Sequence, residues 1–242
     1  MPDTLRHRGK HPDDPGLFAA SRLPDLNEAV RDLSHLLSRG YNVRSAAKLV
    51  GDRYQLAVRQ IKAVERCACD DDSKKRREAT QIRLNDLGGR GASLAIDGYN
   101  VLISVECALS NGFLFKGRDG ALRDIASVHG TYRRVDETLP ALLLIATLLA
   151  AHKITETVWY LDAPVSNSGR LKAFILETAT TARQAWSVEI VQNPDPILAA
   201  STFPVASSDS WILDRCAHWI DLPAELIKDG CIPHAECIDL GL

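Results

Sequence analysis

Beyond residue 91, short apolar runs alternate with longer helix-patterned stretches, and this alternation restricts the fold more than any other feature of the chain. Residues 93–96, 157–161, 188–191 and 203–206 are short and rich in aliphatic, β-branched or aromatic side chains, as buried strands are. Between them, 101–109, 121–134, 136–152, 168–186 and 210–218 read as helices, with a small hairpin near 113–115 and a last strand at 219–222. Strands separated by helices predict a mainly parallel sheet with right-handed crossovers and helices on both faces, a three-layer α/β/α domain.

The first 90 residues lack that alternation. Leu23, Leu26, Ala29, Val30, Leu33, Leu36 and Leu37 recur at steps of three and four, which predicts a helix that Gly40 ends. A short helix is expected over 45–50, broken by Gly51-Asp52, and a third from about Arg53 with Arg53, Arg59, Lys62 and Arg66 among its apolar positions. Helix, glycine turn and basic helix outline a helix-turn-helix; an ordinary three-helix bundle with a solvated basic face has the same pattern. The expected organisation is an all-α helical module over 1–69, a charged and glycine-rich linker over 70–91, and the α/β domain over 92–242. In the linker, Asp70-Asp71-Asp72 precede Lys74-Lys75-Arg76-Arg77, and Gly88-Gly89-Arg90-Gly91 reads as a hinge.

Charge supports the division. Of 242 residues, 29 are Lys or Arg and 31 Asp or Glu, and a net charge of −2 excludes a basic nucleic-acid coat over the whole chain. The near-neutral sum hides a split: residues 1–90 carry 18 basic and 13 acidic side chains, the remainder 11 and 18. The basic half suits a polyanion and the acidic half concentrates carboxylates. The polar start has no secretory h-region, and the apolar stretch 139–151 is too short to span a bilayer. Six scattered cysteines in a chain of this size need no disulfides, so a reduced, cytoplasmic protein is expected. Cys231, His234 and Cys237, with Cys216 and His218, lack the tight paired spacing of a structural zinc site and read as buried or idle groups.

In open parallel sheets, ligands bind outside the carboxyl ends of the strands. Asp97, Asp162 and Asp209 each follow one of the apolar runs, and Asp214 lies about one turn beyond Asp209. A single aspartate there is an ordinary N-cap. Three on one rim repel one another unless a cation compensates them, and carboxylates without histidines suit Mg²⁺ or Mn²⁺ rather than zinc. Such an ion supports phosphodiester hydrolysis. An aspartyl-phosphate route is disfavoured, because Asp97 is followed by Gly98-Tyr99 and not by Asp-x-Asp.

The stretch Ile96-Asp97-Gly98-Tyr99-Asn100-Val101-Leu102 resembles the opening motif of PIN-like and NYN-type nucleases, and Ser207-Ser208-Asp209 with Asp214 resembles the Ser/Thr-x-Asp signature of their fourth strand. The resemblance implies that Asp97, Asp209 and Asp214 bind Mg²⁺ or Mn²⁺ with Asn100 and Ser207 in support, Asp162 helping to hold or orient the ion. It also implies a helix-borne acid; Glu137 takes that place, in competition with Asp119, Asp124 and Asp136. Over most of its length the chain further resembles the domain of unknown function 434 joined to a PIN-like half, through Arg8-Gly9-Lys10-His11-Pro12-Asp13-Asp14, Leu49-Val50-Gly51-Asp52-Arg53-Tyr54 and Asp162-Ala163-Pro164-Val165-Ser166-Asn167-Ser168-Gly169-Arg170.

Two features bear on the substrate. Asn167-Ser168-Gly169-Arg170 stands at an expected helix start, where free N–H groups with Arg170 and Lys172 suit a phosphate; a plain Asn/Ser cap explains it equally. Arg53, Arg59, Lys62 and Arg66 are spaced to follow a nucleic-acid backbone, with few aromatics for stacking. The expectation is a Mg²⁺- or Mn²⁺-dependent endoribonuclease. Its competitors are a non-catalytic nucleic-acid-binding protein on a degenerate nuclease fold and a small-molecule phosphohydrolase. Expected partners are nucleic acid, RNA above DNA, and a second copy of the chain as a homodimer, with no membrane.

Overall fold

The structure, a computed structural model, describes residues 6–87, 91–126 and 130–241. Helices come first: α1 (Asp14–Leu17), α2 (Leu23–Ser38), α3 (Val43–Arg53), α4 (Val58–Cys67) and α5 (Asp71–Thr80). One face of α2 buries Leu26, Ala29, Val30 and Leu33, and the helix stops at Gly40, whose φ of +81° most side chains avoid. Asn42 caps α3 by accepting from the N–H groups of Arg44 and Ser45.

Contrary to the expected break, α3 runs through Gly51. A Cβ there would stand 2.7 Å from Cδ1 of Ile61, so this glycine serves the close crossing of α4 and not a turn. The turn lies at 54–57, where Gln55 has φ 50°. The segment expected as a linker contains a helix. Asp70 caps α5, Arg77 on it is buried, and the indole N–H of Trp219 donates to the Arg77 carbonyl at 2.8 Å, so the segment is docked on the α/β part. Of the glycine hinge, residues 88–90 lie outside the described residues.

The α/β part follows as β1 (Ala92–Asp97), α6 (Gly98–Leu109), β2 (Phe113–Lys116), β3 (Leu122–Arg123), α7 (Thr138–Ala151), β4 (Ile154–Asp162), α8 (Ser168–Thr181), β5 (Trp186–Val191), α9 (Pro194–Ala199), β6 (Val205–Ala206), α10 (Ser210–Leu213), β7 (Trp219–Ile220), α11 (Leu222–Lys228) and β8 (Glu236–Asp239). Five strands form a parallel sheet in the order β5-β4-β1-β6-β7. The chain leaves β1 to one side for β4 and returns on the other as β6, which makes β1 the switch point. A second, three-stranded sheet, β3-β2-β8, pairs β2 antiparallel to β3 and parallel to β8.

The helix expected over 121–134 does not form in its described part. The Leu122 N–H donates to a carboxylate oxygen of Asp221 at 2.7 Å and the buried Arg123 Nε donates to the Ser208 carbonyl at 2.8 Å, so long-range bonds override local helix preference there. Trp159, Trp219, Leu94 and Ile96 fill the sheet core. The helical module shares its own core with Phe115, Ile125 and Leu240 of the α/β part, so the two modules are packed as one body. The apolar stretch 139–151 lies in α7, and no helix among the described residues is long and apolar enough to cross a membrane.

Candidate functional site

At the carboxyl edge of the sheet, beside the switch point, lies a cavity of about 430 Å³. Its wall holds Asp97 from the end of β1, Asp162 from the end of β4, Asp195 on α9 just after β5, Asp209 after β6, and Asp124 after β3. Three of these were expected. Asp195 was not foreseen, although an acid four residues past a strand end is a readable signal. Asp124, one of the competitors to Glu137, lines the cavity, and Glu137 does not.

Asp97 stands at the N-cap of α6 yet makes no side-chain cap bond. Its Oδ2 accepts instead from the Ser207 hydroxyl at 2.7 Å, across 110 residues of sequence. Gly98 permits this start: a Cβ there would lie 2.5 Å from Cδ2 of Leu161 and 2.8 Å from the Tyr160 carbonyl. Asn100 is the second anchor, its Oδ1 accepting from the Ser208 N–H at 2.8 Å and the Ser208 hydroxyl at 3.0 Å. The Asp209 N–H donates to Ser207 Oγ at 3.0 Å, while Asp209 Oδ1 caps α10 through the N–H groups of Trp211 and Ile212. Asn100 and Ser207 therefore tie the tips of β1 and β6 together.

Burial pushes the Asp97 carboxyl up to about 7; the Ser207 hydrogen bond opposes this, and the charges of Asp209, Asp195 and Asp162 add to it. Asp195 is raised by burial and then by Asp209 and Asp162, and Asp162 by burial. Asp124 is buried, with Oδ2 accepting from Ser104 at 2.8 Å and Oδ1 without a hydrogen-bond partner. An acidic, oxygen-only donor set of this kind fits a hard divalent cation in its chemistry. Among the described residues, no three His, Cys, Asp or Glu side chains stand close enough to hold an ion where they are, so binding requires the carboxylates to move toward one another.

Other expected residues lie elsewhere. Asp214 turns away from the cavity and accepts from Arg77 on both oxygens, at 2.6 and 2.8 Å. Glu137 accepts from His7 at 2.6 Å, and Asp136 lies 3.6 Å from the same imidazole. Arg59 is tied to the buried Asp14 at 2.6 and 2.8 Å, and Arg53 lies 3.4 Å from Asp32. Lys62 donates to the Ile125 carbonyl at 2.8 Å, whereas Arg66 lines the cavity. Arg170 and Lys172 are outside it, and the Ser168 hydroxyl is engaged with the Asp162 carbonyl at 2.6 Å and with Tyr99 at 2.9 Å. All six cysteines are free thiols.

Fold and cavity together define an α/β protein with a carboxylate-lined cleft at the switch point of a parallel sheet, covered in part by an N-terminal helical module. The model of Domain of unknown function (DUF5616) matches residues 87–225, more than half of the chain, and the chain belongs to that family. The model of Protein of unknown function (DUF434) matches residues 25–79. An uncharacterized protein of Methanocaldococcus jannaschii is 31% identical over 205 residues, 84% of this chain and 97% of that one. No solved structure matches the chain.

Proposed function

We propose that this chain is a Mg²⁺- or Mn²⁺-dependent endonuclease acting on RNA, on a PIN-like fold. The observation that carries this reading is one cavity lined by Asp97, Asp162, Asp195 and Asp209, where the charges of the other three raise the cost of ionising Asp97 and those of Asp209 and Asp162 raise it for Asp195. Carboxylates gathered in this way are costly without a compensating charge. The residues that would hold the ion are Asp97, Asp162, Asp195 and Asp209, with Asp124 and its unpaired Oδ1 in the same wall. Bound there, a divalent cation would polarise a phosphodiester and offset the charge that develops on it.

The chain's own residues do the positioning. Ser207 orients Asp97 and favours its ionised form. Asn100 fixes the Ser208 main chain and so the approach of Asp209. Asp214, held by Arg77, belongs to the scaffold behind the site. The RNA preference rests on the motif resemblance at 96–102 and 207–209.

The test is cleavage of an end-labelled RNA with Mn²⁺, with EDTA, and by Asp97→Asn with Mn²⁺. Both EDTA and the substitution are expected to lower the rate by at least roughly 100-fold, since even outer partners of ion-binding groups are worth about 10–100-fold. Equal rates in all three reactions overturn the reading.

A further inference from the structure

Among the described residues, α4 is the one part of the helical module that lines the acidic cavity. Arg59, Lys62 and Arg66 lie at helical spacing along it, and their environments differ sharply. Arg59 is consumed by the buried Asp14. Lys62 donates to the Ile125 carbonyl, clamping α4 against the segment that also carries Asp124; burial and then the charge of Arg66 lower its pKa. One turn further on, Arg66 is half-buried and lines the cavity beside the five aspartates. It is the only cation among the described lining residues, and none of the described carboxylates forms an ion pair or hydrogen bond with it. A guanidinium facing carboxylates yet pairing with none keeps its planar donor fork free for another anion.

We infer that Arg66 binds a phosphate of the substrate, so that the helical module completes the site by supplying the positive charge its acidic wall lacks. This rests on the phosphodiester reading above and deepens it. The acids alone repel a polyanion, and a free guanidinium on their rim gives the backbone a point of attachment next to them.

The experiment uses the full chain and a fluorescein-labelled single-stranded RNA 12-mer. Cleavage with Mn²⁺ is measured for the natural chain, Arg66→Ala and Arg66→Lys, with thermal melting of each. Binding is measured by anisotropy in Asp97→Asn, with and without Arg66→Ala, across a salt series. Arg66→Ala is expected to raise KM on the order of 10–100-fold, as a charge-assisted contact is worth, while kcat changes much less. Arg66→Lys recovers part of the loss, because it keeps the charge without the fork. The log–log salt slope of binding falls by about one, a change that a merely structural role would not produce. Unchanged KM and unchanged salt slope overturn the inference, even if the natural chain cleaves RNA. If the natural chain does not cleave, the nuclease reading fails and the salt slope alone decides Arg66; absence of any binding overturns both.

Discussion

The α/β part contains two clusters of aspartates, one gathered round the buried Asp119 and the other round the buried Asp97, that differ in what surrounds them. In one, Asp119 receives Arg123 through both terminal nitrogens at 2.8 and 2.6 Å and Arg77 at 2.8 Å, while Arg77 also grips Asp214. Burial pushes the Asp119 carboxyl up, but the two guanidinium groups more than reverse this and hold it at about 2. In the other, Asp97 is equally buried, has a serine hydroxyl in place of a guanidinium, and is driven up to about 7. The same side chain, buried to a similar degree, is a compensated strut in one cluster and an uncompensated charge in the other. Compensation, more than burial or strand-end position, separates scaffold from site. The clusters also touch: Arg123 donates to the Ser208 carbonyl at 2.8 Å, one residue before Asp209, so the strut backs the wall of the cavity.

The hardest test of this contrast removes the strut. Asp119→Asn leaves two nearly buried guanidinium groups short of a charge, and breaking such a network costs about 3–5 kcal/mol. For a chain of this size that is a fall of about 6–20 °C in Tm. Calorimetry of the substituted chain showing a loss below about 2 °C would erase the distinction between the clusters.

The second test concerns the uncompensated cluster. Because the folded state raises Asp97 above its unfolded value of 3.8, the folded state keeps this proton as the pH climbs from about 4 to about 7 while the unfolded chain releases it. Stability therefore falls across that window, and Asp97→Asn removes this part of the fall. A divalent cation acts in the opposite sense, since it competes with the proton. At about 100 times its Kd, Mn²⁺ should stabilise by about 2.7 kcal/mol at pH 8 and far less at pH 5.5. Melting curves at the two pH values, with and without Mn²⁺, check this; an increment equal at both, or retained in Asp97→Asn, breaks the link between the cavity and the ion.

The sequence made the uncompensated cluster partly legible and the compensated one hardly at all. Asp97 and Asp162 could be read because each ends an apolar strand, and Asp209 because it stands three residues past one; strand ends of a parallel sheet share an edge. Asn100 and Ser207 could be read from their motif. Asp195 escaped because a short proline-started helix, α9, carries it past the strand end. Asp119 and Arg123 are a local pair, but Arg77 joins them across 42 residues and Asp214 across 137, and no short-range pattern records such partners. The same reason explains α5: a segment whose composition reads as a solvated linker is held by a buried arginine and by the Trp219 indole.

The smallest expected effect falls on the residue whose sequence reading and structural place diverge most. Asp214 stands about one turn beyond Asp209, which suggested an ion ligand, but α10 is only four residues long and turns it to Arg77 instead. Its side chain is 27% exposed, so water screens part of the pair, and Arg77 keeps Asp119 as a second partner. Asp214→Asn should therefore cost about 1–2 kcal/mol and leave Mn²⁺-dependent cleavage within about twofold, whereas Asp195→Asn, which no motif marks, should impair cleavage with little loss of stability. Parallel melting and RNA-cleavage assays on the two variants distinguish the assignments. If Asp214→Asn abolishes cleavage and Asp195→Asn does not, compensation by arginine is not what separates scaffold from site.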